Sequence, residues 1–161
     1  MENFEMMMMK GIEVTPRILL YMIPVFVFMV IASSIDQKYM KIPNKLNYTM
    51  MLLRLSFAMF YPIEGTHILG FIIGGALILI PAMIVLKPMG GDIKFCAALG
   101  FWIGDIKILF TLVVAVIMFV VYGVFIKKLD KRESAAFAPF MSLGCVVVLL
   151  IGLFLHYQVL A

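Results

Sequence analysis

Residues 106–126 read IKILFTLVVAVIMFVVYGVFI, and within them only Lys107 carries a charge. A bilayer core of roughly 30 Å takes about 20 helical residues at about 1.5 Å each, so this stretch is long enough to cross a membrane. Lipid offers backbone groups no water to bond, and a helix satisfies them internally. The same ruler laid along the chain marks five more apolar segments, near Ile18–Ile35, Leu46–Tyr61, Ile68–Leu86, Ile93–Gly104 and Phe137–Leu160. The expected fold is therefore all-α. It is a polytopic membrane protein of six transmembrane helices, one domain over residues 1–161, with residues 1–17 as a short N-terminal arm.

Composition points the same way. Hydrophobic residues make up 65% of the chain and charged residues 14%, against about 25% charged in ordinary globular domains. With so few charges a small soluble domain cannot cover its surface, and the mean hydropathy is +1.13. Disordered, collagen-like and disulfide-scaffold classes are excluded. The net charge is +4, but no basic stripe carries the interleaved aromatics of a nucleic-acid interface, so no nucleic-acid partner is expected. Cys96 and Cys145 stand singly in apolar runs and read as small core residues.

The cations instead set orientation. Lys38, Lys41, Lys45, Lys87, Lys94, Lys127, Lys128, Lys131 and Arg132 follow the first, third and fifth segments, nine in all, against Lys10, Arg17 and Lys107 on the other side. The bias places the nine-residue side in the cytoplasm and both termini outside the cell (inner) membrane, with His67 and His156 at the outer face. Gly70, Gly74 and Gly75 form a small-residue stripe suited to close helix packing. Pro24 and Pro81 are expected to kink their helices. The fourth segment, Asp92 to Gly104, has 13 residues, about 20 Å of helix, too short to cross upright unless its start is drawn into the membrane or the bilayer thins. Arg54, inside the second segment, is expected in a structural ion pair.

Of the 9 acidic residues, Glu2, Glu5, Glu13, Glu64, Asp105, Asp130 and Glu133 fall in the arm or in loops and read as solvated or interfacial charge. Asp36 and Asp92 differ, because both border hydrocarbon on the cytoplasmic side, where an ionisable group is expensive and marks function. Singly, each also reads as a helix-end charge, Asp92 as an N-cap. Together they suit paired-acid hydrolysis. Two close carboxylates cannot both ionise easily, so one stays charged as base for a water while its neutral partner polarises a scissile carbonyl. Gly90 and Gly91 before Asp92 permit a flexible loop against which substrate can lie.

Other hydrolytic chemistries lack residues. There is no HExxH, the two histidines are far apart, and neither metal nor cofactor is expected. A Ser-His-Asp triad fails because the histidines lie across the membrane from Ser33, Ser34 and Asp36. A Ser/Lys pairing of Ser34 with Lys94 on the same face remains open. So does a different class of protein, a small ion- or proton-coupled transport subunit with Asp36 and Asp92 as relay carboxylates.

Three motifs carry a family resemblance. Asp36-Gln-Lys-Tyr-Met-Lys-Ile-Pro43-Asn44 resembles the first aspartate loop of type IV prepilin peptidases, in which an Asp precedes a basic Ile-Pro-Asn stretch. Gly90-Gly91-Asp92-Ile-Lys94 with the following Ala-Ala-Leu-Gly is similar to their GxGD motif, and Phe137-Ala-Pro-Phe-Met-Ser-Leu-Gly144 to the stretch opening their last helix. Met89 stands where the motif has its first Gly, and the third motif lacks its first Pro. The resemblance implies a membrane aspartic endopeptidase that removes the cytoplasmic leader of pilin-like precursors next to a glycine. Asp36 and Asp92 take the catalytic positions, supported by Gly90, Gly91, Lys94, Pro43 and Asn44. With no CxxC pair, the chain resembles the stand-alone Tad/Flp-type form that lacks the methyltransferase domain. The implied partners are the pilin-like substrates and the lipid bilayer; neither motif nor composition speaks to oligomeric state.

Overall fold

Pro24 decides how the chain enters its first long helix. Its ring has no N–H to give and crowds the carbonyl four residues earlier, and the computed structural model breaks the helix just before it. Helix α1 (Pro16–Tyr21) ends, Met22 forms a turn, and α2 (Ile23–Tyr39) begins. The structure describes residues 11–12, 14, 16–85, 90–126 and 136–160. Among these it is helical throughout its ordered elements, with no strand. After α2 come α3 (Asn44–Ser56), a short 3-10 turn (Phe57–Met59), α4 (Gly65–Val85), α5 (Gly90–Ile103), α6 (Asp105–Val121) continued by a π-helical segment (Tyr122–Ile126), and α7 (Ala138–Leu160). The six long helices, α2 to α7, fall where the apolar segments predict them.

Among the described residues two of them are long and apolar enough to cross a membrane by themselves, over Asp105–Val124 and Ala138–Gln158, with Gly65–Ile80 a shorter apolar stretch. The others fall short for local reasons. The first is cut at Met22, α3 has 13 residues including Asn44, Lys45, Asn47, Thr49 and Arg54, and α5 has 14. The kink expected at Pro24 is thus a break at Met22, whereas α4 runs on through Pro81.

Helix α5 is the core of the molecule. The consecutive residues Phe95 to Gly100 are all buried, which at 3.6 residues per turn covers every side of the helix. A helix enclosed by protein need not match the thickness of lipid, which accounts for its shortness. The glycine stripe packs as expected: a Cβ at Gly70 would strike the Gly100 carbonyl oxygen, one at Gly74 the Cys96 carbonyl oxygen, and one at Gly100 the Gly70 carbonyl oxygen. Helices α4 and α5 therefore touch backbone to backbone. Trp102 ties α5 to α3 by donating Nε1–H to the Met50 carbonyl at 3.0 Å, and the Ser33–Ser142 hydroxyl bond at 2.8 Å joins α2 to α7. Large apolar side chains such as Ile80, Met83, Ile117, Val120, Leu150 and Phe154 point outward, as they do where lipid is the solvent.

The chain runs up and down between two ends. At one end, Gly104 takes a left-handed φ of 88° to turn α5 into α6, Lys107 Nζ donates to the Gly11 carbonyl at 2.7 Å, and Val14 N–H donates to Gly152 at 3.2 Å. The N-terminal arm is therefore docked at Gly11 and Val14. Arg54 lies at the same end with no exposed surface. The ion pair expected for it is replaced by backbone: its guanidinium donates to the carbonyls of Phe101 (3.3 Å), Tyr61 (2.9 Å) and Pro62 (3.2 Å), and lies over the rings of Tyr61, Phe101 and Trp102. Carbonyls left over at a helix end and in a loop have lone pairs to spare, and three of them stand in for a carboxylate. His67, buried beside Tyr61, accepts the Glu64 N–H through Nδ1 at 3.1 Å.

Candidate active site

The opposite end gathers the residues singled out for chemistry. Helix α2 stops because Met40 adopts a left-handed conformation, φ 52° and ψ 34°, and returns its N–H to the Asp36 carbonyl at 2.8 Å. That turn leads through Lys41 and Ile42 to Pro43, whose extended backbone precedes the first turn of α3. Asp36, one turn inside α2, is only 4% exposed. Its Oδ2 accepts the N–H of Ala138 at 3.0 Å. Ala138 opens α7, where the first backbone N–H groups have no partner within the helix, and a carboxylate 102 residues earlier accepts the one from Ala138. A negative charge at that position also faces the positive end of the α7 dipole.

Asp92 sits in the first turn of α5, half-buried, and not at the N-cap position of its alternative reading. It lies within electrostatic range of Asp36, so the fold brings together the two acids that the sequence places 56 positions apart. A cavity of about 720 Å³ opens beside them, lined by Tyr39, Ile42, Asn44, Gly91, Asp92 and Lys94 among others. Asp92 lines this space, as does Ile35, the neighbour of the buried Asp36.

The supporting residues fall into place around α5. Lys94 Nζ donates to Asn44 Oδ1 at 2.9 Å and lies 5.5 Å over the Tyr48 ring. Gly91 suits a close approach, since a Cβ there would come 3.0 Å from the Ile42 carbonyl oxygen. The flexible loop expected of Gly90 and Gly91 is corrected: both belong to the first turn of α5 and neither has a left-handed φ. Gly90 faces open space. Met89, the departure from the motif, lies outside the described residues, as do Lys87 and the basic stretch Lys127–Arg132 used for orientation. The Ser/Lys pairing is not assembled, because Ser34 Oγ donates to the Val30 carbonyl at 2.8 Å while Lys94 is engaged by Asn44. Among the described residues no three His, Cys, Asp or Glu side chains converge.

Two contributors were not foreseen. Ala138 acts through its backbone N–H, and nothing in its side chain signals that. Asn47, fully buried on α3, donates Nδ2–H to the Gly91 carbonyl at 3.1 Å; no signal in the sequence set it apart from the other polar residues of that helix. A family model described as the type IV leader peptidase family matches residues 23–124, from the start of α2 to the π-helical segment, and so includes both acids. No curated protein and no solved structure gives a match.

Proposed function

The chain belongs to the type IV leader peptidase family, and on that premise we propose that it is a membrane aspartic endopeptidase cutting pilin-like precursors beside a glycine, with Asp36 and Asp92 as its acid pair. The observation that supports the reading is that both acids stand at one end of the bundle, one bonded to a helix N-terminus and the other at the edge of a cavity. The two environments divide the labour. Asp36, facing the α7 N-terminus, acts as the base that takes a proton from water; Asp92 acts as the acid that gives a proton to the oxygen of the scissile carbonyl. The water oxygen bonds to the carbonyl carbon, forming a neutral gem-diol. Asp92 then withdraws a hydroxyl proton, Asp36 passes its proton to the amide nitrogen, and the C–N bond breaks to a carboxylic acid and an amine.

The cut lies at the cytoplasmic interface, where positive-inside counting puts this end of the molecule and both termini on the far side. A pilin-like precursor continues from its leader into an apolar helix, whose carbonyls are engaged in helical bonds. A glycine at the cut lowers the cost of unwinding there. Because Asp36 is buried, substrate binding must open its surroundings before both acids reach one peptide bond.

The test is co-expression with a pilin-like precursor and inspection of its size. Processing by the native chain and by neither Asp36→Asn nor Asp92→Asn supports the reading. Processing that survives either substitution removes that aspartate from the mechanism.

A further inference from the structure

Asn47 is buried at a loss. Its Nδ2 is bonded, but its Oδ1 has no partner among the described residues, and an unsatisfied buried acceptor costs stability that an apolar side chain of similar size would not. What the amide obtains in return is one bond spanning 44 positions, to the carbonyl of the residue just before Asp92. That carbonyl belongs to the first turn of α5, so the direction in which this turn leaves the bundle is set from α3. Helix α3 in turn continues from Asp36 through the left-handed Met40 and through Ile42, whose backbone packs on Gly91. The amide thus joins the element carrying one acid to the segment that leads on from the other.

We infer that Asn47 is the positioning residue of the acid pair, holding the first turn of α5 through the Gly91 carbonyl so that Asp92 faces Asp36. The inference rests on reading these two aspartates as catalytic. The nearby Lys94–Asn44 bond is exposed to solvent and fixes a flexible side chain. The Asn47 bond fixes backbone, and backbone position is what an acid with one required geometry depends on.

The test measures cleavage of a pilin-like precursor by the full chain in detergent, with Asn47→Leu, Asn47→Gln and Asp92→Asn side by side. Asn47→Leu is expected to lose about tenfold to a hundredfold in kcat, the scale of a roughly 1 Å misplacement. KM stays within about twofold, and the melting temperature does not fall, because the orphaned oxygen goes with the amide. Asn47→Gln keeps the donor in a longer side chain, and is expected to exceed Asn47→Leu in kcat even though it melts lower. Native kcat in Asn47→Leu overturns the inference, as does activity that simply follows melting temperature across the two variants. Cleavage by Asp92→Asn overturns the acid-pair reading itself, and with it the role of Asn47; loss of cleavage there with full activity in Asn47→Leu overturns Asn47 alone.

Discussion

Helices α3 and α5 lie side by side and handle charge in opposite ways at their two ends. At the far end Arg54 has no exposed surface, and its guanidinium is held by three carbonyls and covered by three aromatic rings. At the near end Asp92 is half-buried, borders a cavity of about 720 Å³ and lies within the field of a second carboxylate. A structural charge is surrounded until it has nothing left to react with. On the proposed reading Asp92 is instead left beside space for a substrate, which is where perturbed ionisable groups gather in enzymes.

The sharpest way to break this contrast is to neutralise each side. Asp36→Asn and Asp92→Asn should each lower precursor cleavage by about 10³-fold or more with little change in melting temperature, as read from precursor size over time. Arg54→Leu should do the reverse. It strands the carbonyls of Phe101, Tyr61 and Pro62, so a loss of about 3 kcal/mol is expected, seen as a lower midpoint in thermal unfolding, while cleavage per folded molecule is retained. A large kcat defect in folded Arg54→Leu would show that the two ends are coupled and the contrast too simple.

Two smaller changes sharpen the near end. Ala138→Pro removes the N–H that Asp36 Oδ2 accepts, at a position where a helix start tolerates proline. Cleavage should drop about tenfold, since a hydrogen bond to a charged group is worth about 1.5–3 kcal/mol, and circular dichroism should show the helix content unchanged. Lys94→Met severs only the exposed bond to Asn44 and should cost less than about 1 kcal/mol, with cleavage within about threefold of native. A total loss of cleavage in Lys94→Met would promote that lysine from cavity wall to substrate contact.

Much of this was legible in the chain itself. Six long helices stand where apolar runs and the polar breaks between them put them, and the glycine stripe of α4 packs against α5 as small residues predict. Asp36 and Asp92 stand out because acids at the edge of hydrocarbon are rare and costly. What could not be read shares one property, that it depends on residues distant in sequence. Arg54 was expected to meet a carboxylate, yet its partners are carbonyls whose availability depends on where the 61–62 segment and the end of α5 come to rest. The loop expected at Gly90 and Gly91 is the first turn of a helix, and Ile42 packs on Gly91 from another element.

Hydropathy and helical period are properties of neighbouring residues, so the sequence by itself determined an all-helical, lipid-suited chain with two acids at helix ends. The tertiary structure alone decided that these ends coincide, that α7 offers Asp36 its first N–H, and that Asn47 reaches across to Gly91. The physical reason is range. A hydrogen bond forms only within about 3 Å, and residues 44 or 102 positions apart come that close only once the whole bundle has packed.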